Sequence, residues 1–230
     1  MRSPQRVTEG VYQITGAVNI FLIDDGDITI IDAGLPGATK TILAGLEHLG
    51  KQPSDVKHIL ITHADIDHVG SLAGLVKATG AKVYAGTESA TYIHRKASPK
   101  HLPRFMQFFG DLIQPLITKR AHVDHEFSDG DTLDIAGGIQ VIAIPGHTPD
   151  NFAFYWPRQR VIFAADLLQT QNKGVLGITQ PKISYDMNAA RQSALKVLDM
   201  DIAYFCVGHG HFIEVSDVPH QIENLKKSLT

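Results

Sequence analysis

Just after the apolar run that ends at Ile61, His63, Asp65, Asp67 and His68 follow one another within six positions. Two imidazoles and two carboxylates crowded together are costly to bury unpaired, and all four are donors that a divalent cation accepts. A cation would satisfy them together and gain from their negative charge. The spacing therefore favours a metal-binding turn over a plain polar loop.

The elements that position these residues are legible around them. Residues 58–61 are short, apolar and β-branched, which predicts a buried strand, and Leu72, Leu75 and Val76 recur at helical spacing over 71–78. The four ligand types thus sit on a strand-to-helix loop. Three further places repeat the pattern of an apolar run that stops at a ligand-type residue. They are Pro145-Gly146-His147-Thr148-Pro149, Phe163-Ala164-Ala165-Asp166 and Val207-Gly208-His209-Gly210-His211. Taken singly, glycine and histidine in a turn often serve only backbone geometry. Four such loops at strand ends in one chain indicate a site held by rigid strands.

His63-x-Asp65-x-Asp67-His68 resembles the signature of the metallo-β-lactamase superfamily, His-x-His-x-Asp-His, with Asp65 standing where histidine is usual. The later motifs resemble that family in order and content, so the likeness runs from Asn19 to His209. It implies that His63, Asp65 and His147 form one metal site, that Asp67, His68 and His209 form a second, and that Asp166 bridges them. It also implies two divalent ions, zinc first, with Asp67 and Asp166 among the catalytic groups. Two metals about 3.5–4 Å apart can hold a hydroxide and polarise a carbonyl or phosphoryl oxygen, so water is the nucleophile. Gly-x-Ser-x-Gly and P-loop motifs are absent from the sequence. His211 competes with His209, but Gly-His-Gly fits the family pattern better.

The carboxylate of Asp65 makes its site harder and more anionic, which raises tolerance for Mn or Fe relative to Zn. Were it to turn away, one tightly held metal would remain. Asp150-Asn151 and Ala165 also depart from the family pattern; they alter pocket shape and remove no ligand. Asp32, at the end of a strand, is either a turn cap or the carboxylate that holds a ligand imidazole in the right tautomer, and the resemblance favours the second role. Tyr185 is either an oxyanion donor near the metals or a tyrosine beside a helix cap.

With 230 residues the chain suits one layered α/β domain spanning 1–230. Strands are predicted over 11–14, 19–23, 28–31, 82–85, 132–135, 139–144, 151–155, 161–164 and 202–207. Helices are predicted over 38–49, 189–200 with Asp186 as N-cap, and 218–229. Each half gives several strands and then a helix. That predicts two sheets packed face to face with helices outside, a four-layer αββα sandwich of mixed sheets. Between them, residues 88–122 are helical. Phe105, Met106, Phe108, Phe109, Leu112, Ile113, Leu116 and Ile117 form an apolar stripe broken by Pro99, Pro103 and Pro115. The stripe either packs on the body or forms a lid over the metal loop, and Thr87 is a candidate cap at the start of this segment. His94, His101, His122 and His125, none of them at a clear strand end, are expected to be solvated.

A net charge of −3 argues against a nucleic-acid partner. A single cysteine, Cys206, lies in an apolar run and is expected to be core; its solitude fits a reducing, cytoplasmic compartment. The first ten residues carry no apolar signal region, and no window approaches the roughly 18 apolar residues of a membrane span. The partner is then a small molecule with an apolar or acyl part, with no membrane, and assembly as a homodimer is left open. The leading reading is a metal-dependent hydrolase of an ester-like bond. Lactones, carboxylic esters and thioesters come ahead of phosphodiesters, and β-lactams are at most a side activity. The alternatives are an iron-dependent redox member of the same scaffold and a metal-stabilised binding protein without chemistry.

Overall fold

Alternation in the strands builds two sheets. A computed structural model describes residues 3–171 and 174–230 of the chain, with the side chains of Met106 and Gln171 left undescribed. The first sheet opens as an antiparallel meander of β1 (Gln5–Thr8), β2 (Val11–Ile14), β3 (Ile20–Asp25) and β4 (Asp27–Ile31). It continues in parallel through β5 (Val56–Leu60), β6 (Lys82–Gly86) and β7 (His125–Phe127). The connections carry α1 (Thr39–His48), α2 (Ile66–Val69), α3 (Leu72–Thr79), α4 (Thr87–Arg95) and α5 (Arg104–Ile117).

The second sheet runs antiparallel through β8 (Thr132–Leu133), β9 (Ile139–Ala143), β10 (Phe152–Trp156) and β11 (Val161–Phe163). A separate hairpin, β12 (Leu168–Gln171) and β13 (Val175–Ile178), and helix α6 (Met187–Leu198) come next. β14 (Tyr204–Cys206) then joins β11 in parallel, β15 (Ile213–Glu214) closes the edge, and α7 (Pro219–Leu229) ends the chain.

Successive side chains of a strand face opposite ways, and both faces of β3 are buried. Phe21 and Ile23 join Leu60, Phe154, Trp156 and Phe163 in the core between the sheets, where the rings of Phe21 and Phe163 lie 5.5 Å apart. Leu22 faces the other way, into a core with Ile42 and Leu46 of α1 and Leu72 and Leu75 of α3. On the far side Ile162 and Phe205 pack against Ala190, Ala194 and Val197 of α6. Each large apolar side chain so buried contributes roughly 1.5–3 kcal/mol. The result is the expected four-layer sandwich, helices, sheet, sheet, helices.

Cys206 lies in the core between the sheets, where burial pushes its thiol pKa well up. Asp186 caps α6 as expected, accepting from the backbone N–H groups of Asn188 and Ala189 at 2.8 and 3.1 Å. Thr87 does not cap α4: it is the helix's first residue, and Gly86 precedes it without a side-chain bond. α5 departs from ordinary amphipathic packing. Phe105 is 74% exposed and Leu116 80%, so the stripe does not lie flat on the body. No helix among the described residues is long and apolar enough to cross a membrane.

The start of α6 presses on the loop after β9. Gly146, at φ +144°, has no room for a Cβ, which would stand 2.3 Å from Cα of Ala190. Strain and overpacking together predict that Gly146→Ala costs roughly 2–4 kcal/mol. The measurement is the urea midpoint of the variant, which should fall while the slope of the transition stays that of the parent.

Candidate metal centre

The parallel pairs bring strand ends to one place. β4 and β5 run side by side, so Asp32 and Thr62 leave the first sheet together, and the backbone N–H of Thr62 donates to Asp32 Oδ1 at 2.9 Å. β11 and β14 do the same in the second sheet, delivering Asp166 and His209. His63 follows β5, Asp67 and His68 occupy the single turn of α2, and His147 follows β9. The two motif carboxylates expected on a loop therefore flank or enter a helical turn instead, with Asp65 at its N-terminal flank.

All seven expected ligands are brought together. His63, His147 and Asp166 offer donor atoms within 4.8 Å of one another, and so do Asp67, His68 and His209. Asp166 lies between the groups, with Oδ1 3.4 Å from His68 Nε2 and Oδ2 3.0 Å from His209 Nε2 and 3.6 Å from His147 Nε2. Asp65 turns inward, its Oδ2 3.6 Å from His63 Nε2 and 3.4 Å from His147 Nε2. Zn–N bonds of about 2.0–2.1 Å place two donors of one tetrahedron about 3.4 Å apart, which is the scale of these separations.

Each imidazole is fixed through its other nitrogen. His68 Nδ1 lies 2.8 Å from Asp32 Oδ2, His63 Nδ1 3.0 Å from Thr62 Oγ1, His147 Nδ1 3.1 Å from Thr179 Oγ1 and His209 Nδ1 2.8 Å from the Ala17 carbonyl. Asp32 thus takes the tautomer-holding role. The Nε2 atoms of His63, His68 and His147, with Asp65 Oδ1 and Asp166 Oδ1, are buried without a hydrogen-bond partner in the protein. Orphaned donors of this kind, all aimed inward, fit a bound cation.

The electrostatics agree. Burial works against the charge of Asp65, yet His101, His147 and His63 outweigh it and hold its carboxyl well below the usual range. Burial likewise opposes Asp166, and His68 and His209 overcome it. Burial opposes the imidazolium of His68, but Asp32, Asp166 and Asp67 push its pKa well up, and contact with Asp166 raises that of His209. The pocket attracts positive charge, as protons or as metal.

His101 corrects the expectation that it is solvated. Its side chain is 2% exposed, and Nε2 sits 3.1 Å from Asp65 Oδ2, in a group with His147. The only signal in the sequence is its place between Pro99 and Pro103 in the apolar insertion. His94 and His122 stay away, lining a separate cavity, and exposed His125 stacks on Tyr84. His211, exposed, binds Thr170 through its backbone. Tyr185 is 61% exposed and lines a neighbouring cavity with Lys100 and Arg104. Its backbone N–H donates to the His147 carbonyl, a positioning contact that concerns no phenol.

Two departures from the family pattern prove structural. Asp150 Oδ2 accepts from the Ala64 backbone N–H at 3.1 Å and from Ser89 Oγ at 2.6 Å, tying the motif loop to α4. Ala165 holds φ +46°, the left-handed region that favours glycine. Across from it, a Cβ on Gly208 would stand 1.9 Å from Asp166 Oδ1, so glycine there makes room for the carboxylate.

The group opens into a cavity of about 480 Å³. Asp65, Asp67, His147, Asp166 and His209 form its floor. Leu35 and Ile66, with Leu102, Phe109 and Ile113 from the segment around α5, form its walls.

The sequence model of the metallo-beta-lactamase superfamily matches residues 14–209. YobT, an uncharacterized protein of Bacillus subtilis, is 30% identical over 206 residues, 85% of this chain and 84% of that protein. Hydroxyacylglutathione hydrolase GloC of Haemophilus influenzae is 26% identical over 200 residues, 84% of each chain. The solved structure of the first B3 metallo-β-lactamase with an active-site glutamic acid is similar at TM-score 0.75 and 25% identity, covering 100% of this chain and 89% of that one.

Asp32→Asn keeps the volume of the side chain but replaces Oδ2 by an amide that donates toward His68 Nδ1, moving the ring proton to Nε2. Metal affinity should fall roughly 10–100-fold in a chelator competition, with the far-UV spectrum unchanged. Parental affinity in the variant would show that Asp32 does not set the tautomer.

Proposed function

Since the chain belongs to the metallo-β-lactamase superfamily and is a hydrolase of that family, we propose that it hydrolyses an ester-like bond of a small molecule with an apolar acyl part: a lactone, a carboxylic ester or a thioester. The observation that carries this reading is the cavity. Among the described residues no lysine or arginine lines it, while leucine, isoleucine and phenylalanine do. An anionic phosphodiester would find no guanidinium or ammonium partner there, whereas an acyl chain would exchange water for apolar walls. The relative named hydroxyacylglutathione hydrolase supports a thioester among the candidates.

In this reading His63, Asp65 and His147 would hold one divalent cation and Asp67, His68 and His209 another, with Asp166 lying between the two groups. When bound, such ions would supply a water nucleophile at neutral pH and polarise the carbonyl group. Zinc suits the imidazoles, and the inward Asp65 carboxylate keeps Mn and Fe in contention. The protein's own part is positioning. Asp32, Thr62, Thr179 and the Ala17 carbonyl fix the rings, and Leu102, Phe109 and Ile113 exclude water and seat the acyl part. Asp67, whose side chain is 28% exposed against 4% for Asp166, faces the cavity and is placed to take the water's proton and return it to the leaving group. Tyr185 takes no part.

The test is turnover of a panel of lactones, aryl esters, thioesters, β-lactams and phosphodiesters by metal-loaded protein, with and without chelator. One ester-like class should turn over and be silenced by chelator. Asp67→Ala and His147→Ala should lose at least about 100-fold in rate while remaining folded. Full activity in either variant, or preference for phosphodiesters, would refute the assignment.

A further inference from the structure

We propose that His101, carried between α4 and α5, is itself a metal ligand, coordinating beside Asp65 and His147 the cation of the His63 side. The proposal rests on the metal-centre reading above and extends its ligand set beyond the strand-end loops.

The geometry singles His101 out. Its Nε2 lies 3.1 Å from Asp65 Oδ2, and with His147 Nε2, itself 3.4 Å from the same oxygen, it forms a set of donors within 4.8 Å of one another. These are again the edges of a coordination polyhedron with bonds of about 2.0–2.1 Å. The imidazoles of His101 and His147 are neighbours, with ring centroids 4.9 Å apart. His101 Nδ1 lies 3.1 Å from the Pro99 carbonyl, so this ring is anchored as the four strand-end imidazoles are, with Nε2 turned to the centre.

Its support is built rather than incidental. Pro99 and Pro103 restrict the backbone on either side. Lys96 Nζ donates to the Pro115 carbonyl and Ser98 Oγ to Gln114 Oε1, both at 2.5 Å, tying the connecting segment to the end of α5. The chemistry also accounts for Asp65. A carboxylate where the family signature has histidine leaves that side with two strand-end imidazoles, and His101 restores the third nitrogen donor from outside the motif. Such a site spans the body and the insertion, so metal binding and the placement of the cavity wall become one equilibrium.

The experiment compares the full-length protein with His101→Ala, His101→Gln and His94→Ala, the last removing an imidazole from the separate cavity nearby. Each is loaded with Zn²⁺ or Co²⁺; metal per chain, affinity by chelator competition and the visible Co²⁺ spectrum are recorded. Both His101 variants should lose one metal equivalent or bind it roughly 10–100-fold more weakly, with altered Co²⁺ bands, while His94→Ala matches the parent. His101→Gln keeps the bulk and a hydrogen bond to Asp65, so it decides the matter if the alanine variant does not fold. Parental metal content, affinity and spectrum in the His101 variants overturn the ligand assignment alone. A parent that binds no metal overturns the metal centre and this proposal together.

Discussion

Everything in this molecule answers to one electrostatic constraint: Asp65 and Asp166 lie where little water can screen them, with half-buried Asp67 beside them, facing imidazoles whose Nε2 atoms point inward. Carboxylates so placed repel one another unless positive charge sits among them. Protons on His68 and His209 can supply it in part, and the directions of their pKa shifts show the pull. Divalent cations supply more of it and satisfy the orphaned lone pairs as well. The centre is thus anionic by construction, and its affinity for cations comes from residue placement before any family is considered.

Holding that arrangement falls to the backbone. Parallel pairing of β4 with β5 and of β11 with β14 sets two pairs of strand ends at the same edge, one pair per sheet. The packing of Phe21 on Phe163 locks the sheets face to face, so the pairs cannot drift apart. Local strain does the fine placement. Ala165 and Asp32 sit at φ +46° and +66°, conformations that cost of order 1 kcal/mol or more for residues with a Cβ. The burial of three apolar cores holds both bends in place.

The sequence announces the centre because strand-end ligands leave a local signature: an apolar run, a break and a donor. His63, Asp65, Asp67, His68, His147, Asp166 and His209 all carry it. The layered fold is legible for a similar reason, since β3, β5 and β11 are apolar runs. His101 carries none of this. It lies among prolines in a helical stretch, and only the return of that stretch over the strand ends brings it to Asp65, a tertiary fact with no local period. The short strands escape for a related reason. β7 buries one side chain of three and β15 spans two residues, too few for alternation to register. The stripe on α5 leaves its role open in the sequence: its spacing is helical, and periodicity cannot tell the cavity wall and exposed face it forms from a core.

Asp150 shows how the support extends past the ligands. Its carboxylate holds the backbone of Ala64, between His63 and Asp65, and the hydroxyl of Ser89 on α4. The turn that presents the motif is therefore fastened to the helix that leads into the insertion. If His101 closes the same circuit from the other end of that segment, the cavity has no wall that is independent of its floor. Substrate shape and metal geometry are then set together, and changes that widen the apolar wall act on the metal through Asp65 even where they touch no ligand. In a site organised this way, the fit of any group against Leu102, Phe109 and Ile113 would bear on the placement of His101, because wall and donor belong to one segment.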